Sequence, residues 1–463
     1  MNVAIIGLAR SGYAAARLAR HLGYQVRVSD ARVPAHHSAD GEAALEKHAA
    51  ELRAMGVWVE LGAHTPACVE GADVVVISPG VSDKAQPVAW ARAASIPVIS
   101  EIEFAVRHTT ARIVGITGTN GKTTTTALVA HMLNHAGVHA IAAGNIGQAL
   151  SGVVEHANGH QTLVIEISSF QLETVQSFHP HVAIWLNLTP DHLDRYETME
   201  RYAAAKGRMF MNMTPDDWAL VWLPDRKIVE PFLARCGARA VWIDEKGTWT
   251  PSPREPYGAV CRDGRLYTVF NGIETMHAAV DDTQLIGPHN SVNMLAACAA
   301  ARALHVPNHL LCEGLRSFRP LPHRLEVVAR QNGITYVNDS KATNVDAMQQ
   351  ALHTIQPPVA LIAGGHDKGM DFRPYAPLVR ERVQRLVLMG AAAQKLREQF
   401  DGVADTVVAR SMREAVELAA RAMPHGSTVL LSPGCASFDL YNDFEHRGND
   451  FKECVHRYLM SQT

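Results

Sequence analysis

Residues Ile113 to Thr126 read IVGITGTNGKTTTT. A short apolar run (Ile113, Val114, Ile116) leads to Gly118, Thr119, Asn120 and Gly121, and then to Lys122, Thr123 and Thr124. The chemistry open to these residue types is the holding of phosphate. Glycines let backbone N–H groups turn toward phosphate oxygens, and the start of a following helix adds partial positive charge. The Lys122 ammonium can reach terminal phosphates, and the Thr123 hydroxyl can ligate Mg²⁺. Five residues, not the usual four, separate Gly115 from Gly121. The competing reading is a glycine-rich strand-to-helix turn that binds nothing. Lys122 and Thr123 at the predicted helix start favour phosphate.

Glu166 stands inside the apolar stretch Thr162 to Phe170. Charged groups are rarely left unpaired in buried strands, so a Mg²⁺ ligand is expected there, with an ion-paired acid as the alternative. His192 follows the apolar run Val182 to Leu188, just past a predicted parallel strand on the sheet edge that carries the phosphate loop. Position, not type, singles it out among 24 histidines. Lys206, in the helix-forming stretch Tyr202 to Lys206, reads as an exposed helix lysine. Asn290 and Asn293 fall three apart, on one face of the first turn of a predicted helix; N-capping is the alternative.

The elements that must position these groups alternate between strand and helix, which predicts an α/β chain of doubly wound parallel sheets. Three domains are expected, 1–101, 102–319 and 320–463. In the first, strand Val3–Gly7, a helix from Ser11 to Leu22, strand Gln25–Ser29 and a third clear strand at 72–78 gather Ser11, Asp30, Arg32 and Ser78 around one crevice. Gly7, Ala9 and Gly12 approximate G-x-G-x-x-G, but the Ala9 methyl stands where a pyrophosphate would approach. A nucleotide-related ligand fits better than a dinucleotide; the alternative is that the glycines only close a tight turn. Residues 212–282 read as an antiparallel embellishment. In the last domain, strands near Ile334, Pro358, Arg385 and Ser427 end in polar loops at 339–343, 366–368 and 435–439, which form a binding rim.

The chain of 463 residues is 47% hydrophobic and 19% charged, an ordinary globular profile. A net charge of −3 gives no basic footprint for nucleic acid. Seven dispersed cysteines without a C-x-x-C pair read as free thiols in a reducing compartment. No signal peptide and no stretch of about 18 apolar residues is found, so a cytoplasmic protein without a membrane span is expected.

Taken together, several strings resemble the Mur ligases: GTNGKTT from Gly118, EISS from Glu166, DHLDRY from Asp191, HNSVN from His289, His323-Arg324, NDSKATN from Asn338 and SPGCASFD from Ser432. The DHLDRY and NDSKATN strings are more specific to the D-glutamate-adding branch. The resemblance implies a Rossmann-like N-terminal domain for a UDP-linked substrate, a central P-loop ATPase domain and a Rossmann-like C-terminal domain. It implies ATP-dependent amide formation between UDP-N-acetylmuramoyl-L-alanine and D-glutamate, in a monomer, with two Mg²⁺ ions. By the same resemblance Thr123 and Glu166 serve one Mg²⁺, and His192 and a carbamylated Lys206 the second. Asn290, Asn293, Arg324 and Asp339 match ATP-contacting positions, and Lys341 supports ATP or the reacting phosphate. Ser11, Arg32, Ser78 and Asn145 match UDP-substrate positions, with Ser168 near the muramoyl-alanine part. Thr343, Lys368, Ser437 and Phe444 match the D-glutamate site. Two positions depart from the pattern: Ala31 replaces a frequent threonine, and Phe438 a more common leucine.

Overall fold

Short runs of aliphatic and β-branched residues build three sheets in the computed structural model, which describes residues 1–32, 41–156, 159–285, 287–367, 369–421 and 423–461. Strands β1 (Asn2–Ile6), β2 (Gln25–Asp30), β3 (Trp58–Leu61), β4 (Val74–Ile77) and β5 (Val98–Ser100) form a parallel sheet in the order β3-β2-β1-β4-β5. β1 and β4 are buried almost throughout, as expected of strands covered on both faces. Strand order reverses between β1 and β4, so the crevice of this sheet opens beyond Ile6 and Ile77.

The second sheet has nine strands: β6 (Arg112–Thr117), β7 (Ala140–Gly144), β8 (Thr162–Glu166), β9 (Val182–Trp185), β10 (Trp218–Trp222), β11 (Arg239–Asp244), β12 (Gly258–Arg262), β13 (Arg265–Phe270) and β14 (Ile273–Ala279). β6 lies between β9 and β8 and is parallel to both. Here the structure corrects the reading of 212–282. β10, β11 and β12 continue the parallel sheet, and antiparallel pairing enters only with β13, which is antiparallel to both β12 and β14. The crossover between β10 and β11 is a helix, Arg226–Cys236, that contains Pro231. A proline inside a helix disguises its period.

The first and second sheets belong to one compact unit, made of Met1–Leu188, Thr198–Asp282 and Val292–Phe318. Glu103 ties them together. Its fully buried carboxylate accepts hydrogen bonds from the backbone N–H groups of Gln176, Ser177 and Phe178 and from Arg107. Burial by itself raises its pKa, but these donors outweigh it and hold the carboxyl below the usual range.

The second unit comprises Thr189–Glu197, Thr283–Ser291 and Arg319–Thr463. Its sheet runs β15-β16-β20-β17-β18-β19, from β15 (Glu326–Gln331), β16 (Ile334–Asn338), β17 (Val359–Gly364), β18 (Val383–Met389), β19 (Asp405–Val408) and β20 (Thr428–Leu431). Only β15 is antiparallel to its neighbour. Along β17, Val359, Leu361 and Ala363 enter one hydrophobic cluster while Ala360 and Ile362 enter the other. That two-residue alternation between two buried faces is the mark of a doubly wound sheet. No helix among the described residues is long and apolar enough to cross a membrane.

Candidate active site

β6 ends at Thr117, and the chain turns through Gly118 (φ 156°) and Gly121 (φ 83°) into the helix Lys122–His135. Gly115 is not part of this loop. It lies within β6, where an added Cβ would stand 3.2 Å from Phe178 Cζ. The anomalous spacing from Gly115 is therefore a packing glycine counted as a loop glycine. At Gly121 a Cβ would come within 2.4 Å of Asn293 Oδ1. The same Asn293 oxygen accepts from Thr125 Oγ1 at 3.1 Å, so Asn293 braces the helix start.

Two ammonium groups converge on this loop. Lys122 Nζ donates to the carbonyls of Gly118 (2.9 Å) and Thr119 (2.7 Å). Lys206 Nζ donates to the same Gly118 oxygen at 2.8 Å and lies 4.5 Å from the centre of the Tyr202 ring. Lys206 is 1% exposed, which overturns its reading as a solvated helix lysine. Alanines and a tyrosine that look like a helix former are here the buried face of the helix Met199–Gly207. Two cations beside a helix N-terminus make a strong anion site.

Glu166 ends β8, level with Ile116 of β6. It is 2% exposed, and among the described residues it has no ion-pair partner of the kind the alternative reading required. Oε1 accepts from Asn145 Nδ2 at 2.9 Å, and the Glu166 carbonyl accepts from the Asn145 amide at 2.9 Å. Oε2 is buried with no hydrogen-bond partner. An orphaned carboxylate oxygen is costly and is suited to a cation. No group of three or more His, Cys, Asp or Glu side chains converges among the described residues. Mg²⁺ takes one or two protein oxygens and completes its shell with phosphate and water. Glu166 Oε2 is a buried oxygen that could serve such an ion. Ser168 closes a capping box with Gln171 at the next helix start.

In the first sheet, Asp30 engages both of its oxygens. Oδ2 accepts from the Leu8 amide (2.6 Å) and Arg32 Nη2 (2.6 Å), and Oδ1 from the Arg32 amide and Nε (2.9 Å each). Burial pushes this carboxyl up, but the Arg32 guanidinium and the two amides together hold it below its ordinary value. Ser78 Oγ donates to the Gly7 carbonyl at 3.0 Å, and a Cβ on Gly12 would stand 1.8 Å from that oxygen. The two glycines thus close a tight turn. Ser11 lies beside Gly12 in the helix Arg10–His21, partly exposed.

His192 belongs to the second unit. It adopts a left-handed backbone (φ 54°), uncommon for a non-glycine residue. Its amide donates to Asp191 Oδ1 at 2.9 Å, and Asn344 Nδ2 donates to Asp191 Oδ2 at 3.4 Å. The NDSKATN segment follows β16. Lys341 Nζ stands 3.7 Å over the Phe444 ring, and the Thr343 amide donates to the Lys341 carbonyl. Ser437 is buried, and Phe438 beside it is 72% exposed. Lys368 lies outside the described residues. Asn290 and Asn293 sit in the first turns of the helix Pro288–Ala303, both buried.

Asp339 accepts from Ser432 Oγ (2.9 Å) and the Leu325 amide (3.3 Å). Burial pushes its carboxyl up to about 7, against the opposing pull of these donors and of the Arg324 charge. The folded chain thus holds a proton that the unfolded chain releases near 3.8. Stability contributed by this group must fall as pH rises from about 4 to about 7, and the cost persists above that range. Asp339→Asn is expected to flatten the dependence. Thermal midpoints of both forms, measured across that window, check it; parallel curves would refute the assignment.

Two residues escaped the sequence reading. Buried Arg447 joins the loops after β16 and β20, donating to Ser340 Oγ and to the carbonyls of Ser340, Cys435 and Ala436. Burial lowers its guanidinium to about 10. Asn187, just past β9, hydrogen-bonds to the phosphate loop. Neither belongs to a spaced motif that would mark it.

The chain matches three family models: the Mur ligase MurD-like N-terminal domain over residues 1–100, the Mur ligase middle domain over 116–301 and the Mur ligase glutamate ligase domain over 323–435. It is 41% identical to the UDP-N-acetylmuramoylalanine–D-glutamate ligase of Pelotomaculum thermopropionicum, over 98% of this chain and 97% of the relative. Identity and coverage are the same for the ligase of that name from Salinibacter ruber. Among solved structures, the UDP-N-acetylmuramate-alanine ligase of Thermotoga maritima superposes with a TM-score of 0.60 at 18% identity, covering 100% of both chains. With its three α/β domains and this match along nearly its whole length, the chain belongs to the Mur ligase family.

Proposed function

We propose that this chain is an ATP-dependent ligase that joins D-glutamate to UDP-N-acetylmuramoyl-L-alanine in peptidoglycan precursor synthesis. The observation that carries the reading is the convergence of Lys122 and Lys206 on the Gly118 carbonyl, in a chain of this family whose Glu166 keeps a buried, unpartnered oxygen. A carboxylate is too poor an electrophile for an amine. The substrate carboxylate takes the γ-phosphoryl group of ATP, giving an acyl phosphate and ADP. The D-glutamate amine then attacks the acyl carbon, loses a proton and expels phosphate. Positioning and charge neutralisation do most of such a transfer.

Lys122 and the loop Gly118–Thr124 hold the phosphates. Mg²⁺, when bound through Thr123 and Glu166, supplies charge neutralisation at the γ-phosphate. His192 and Lys206 as its carbamate serve a second Mg²⁺. Asn290, Asn293, Arg324 and Asp339 contact ATP, and Lys341 steadies the reacting phosphate. Ser11, Asp30, Arg32, Ser78 and Asn145 receive the UDP-linked substrate, with Ser168 near its muramoyl-alanine end. Thr343, Lys368, Ser437 and Phe444 receive D-glutamate, a cation and hydroxyls meeting two carboxylates. Domain boundaries at 1–101, 102–319 and 320–463 and a cytoplasmic monomer complete the proposal.

The test is phosphate release from Mg-ATP with UDP-N-acetylmuramoyl-L-alanine and D-glutamate, L-glutamate or no amino acid. Release with D-glutamate alone is expected. Release that requires a different amino acid, or none, would overturn the substrate assignment.

A further inference from the structure

We infer that Asn187 is a positioning residue that shapes the phosphate loop before nucleotide arrives and directs the phosphates to the helix start. This rests on the ATP reading above. β9 runs beside β6, with Trp185 level with Thr117, and the Leu186 amide donates to the Thr117 carbonyl at 3.0 Å. The pairing then continues into the loop. The Thr119 amide donates to the Asn187 carbonyl at 2.9 Å. The side chain does the rest: the Asn120 amide donates to Asn187 Oδ1 (2.8 Å), and Asn187 Nδ2 donates to the Asn120 carbonyl (3.0 Å). A side-chain amide therefore closes a two-bond ring with one residue's backbone, as a neighbouring strand would.

Two consequences follow for nucleotide binding. The loop amides of Thr119 and Asn120 are already turned toward Asn187, so among the backbone N–H groups of the loop Gly118–Thr124 the hold on phosphate falls to the others. The helix's own ladder begins with the Thr125 amide on the Gly121 carbonyl at 3.0 Å. The amides of Thr123 and Thr124 precede that bond and point out of the helix start, where orphan N–H groups receive anions. Asn187 and Asn293 thus hold the loop from two sides, one on Asn120 and the other against Gly121 and Thr125. Preorganisation of this kind spares the ligand the cost of ordering the loop.

ADP serves as the probe, with calorimetry on the full chain. Asn187→Ala should weaken ADP binding roughly ten- to a hundredfold, the scale of two lost hydrogen bonds to a partly buried backbone. Asn187→Asp keeps the size and the acceptor but sets an oxygen against the Asn120 carbonyl, and should weaken it at least as much. Affinity for UDP-N-acetylmuramoyl-L-alanine should be unchanged in both, and the Michaelis constant for ATP should rise more than the turnover number falls. Wild-type ADP affinity in Asn187→Ala would overturn the inference, as would equal losses for ADP and the UDP-linked substrate. Amide hydrogen exchange on the wild type gives a check that needs no variant. Asn120 should be protected without nucleotide, and fast exchange there would also overturn the inference. A wild type that binds no ADP would instead overturn the ATP reading, while protection of Asn120 would still stand for the clamp.

Discussion

Lys122→Ala is expected to lose turnover by about a thousandfold, the scale of removing one group that stabilises developing charge, while binding UDP-N-acetylmuramoyl-L-alanine as before. Two hydrogen bonds of the Lys122 ammonium go to the carbonyls of Gly118 and Thr119, four and three residues back in its own loop. Such contacts are local and replaceable by water, so their loss should leave the fold intact. A phosphate offers the same ammonium a full opposite charge, and that interaction has no substitute. Most of the groups assigned to the UDP-linked substrate (Ser11, Asp30, Arg32 and Ser78) stand with the first sheet, whereas Lys122 follows β6 of the second. Steady-state phosphate release together with direct binding of the UDP-linked substrate checks both halves. Loss of binding with turnover retained would reverse the assignment of the two sheets.

The phosphate loop was legible because every feature of it is a local sequence feature: an apolar strand, glycines at left-handed positions, and Lys122 at a helix start. β8 and β9 were legible for the same reason, since strands covered on both faces are nearly continuous in apolar residues. β3, β15 and β19 were not. They lie at sheet edges, each has residues only partly buried, and their sequences (WVEL, EVVARQ and DTVV) lack a clean apolar run. The side chains that brace the site were invisible for a different reason. Asn187 and Arg447 act on backbone groups of residues 67 and up to 107 positions away, and no spacing rule registers such a pairing. Glu166 was singled out as a buried acid, but sequence could not separate an ion pair from a metal ligand. The structure adds that one of its carboxylate oxygens is buried without a hydrogen-bond partner.

Lys206→Ala is expected to be as inactive as Lys122→Ala, and to recover in part when short carboxylates are added. The two lysines touch the same carbonyl but differ in kind. Lys206 comes from a distant helix, is fully buried, and has the Tyr202 ring and the Gly118 oxygen beside its ammonium. The neutral amine of a lysine is the form that adds CO₂. The resulting carbamate would present oxygen to a metal where an ammonium can present only hydrogen. Removing the side chain leaves a space of that shape, which acetate or formate can enter to restore an oxygen ligand. A small alkylamine of similar size separates the alternatives, because it restores the charge of lysine and not that of the carbamate. Recovery with acetate but not with methylamine identifies the carboxylate form as the working one. Recovery with methylamine alone would make Lys206 a plain cation that supports the phosphate loop, and full activity without any additive would remove it from the chemistry altogether.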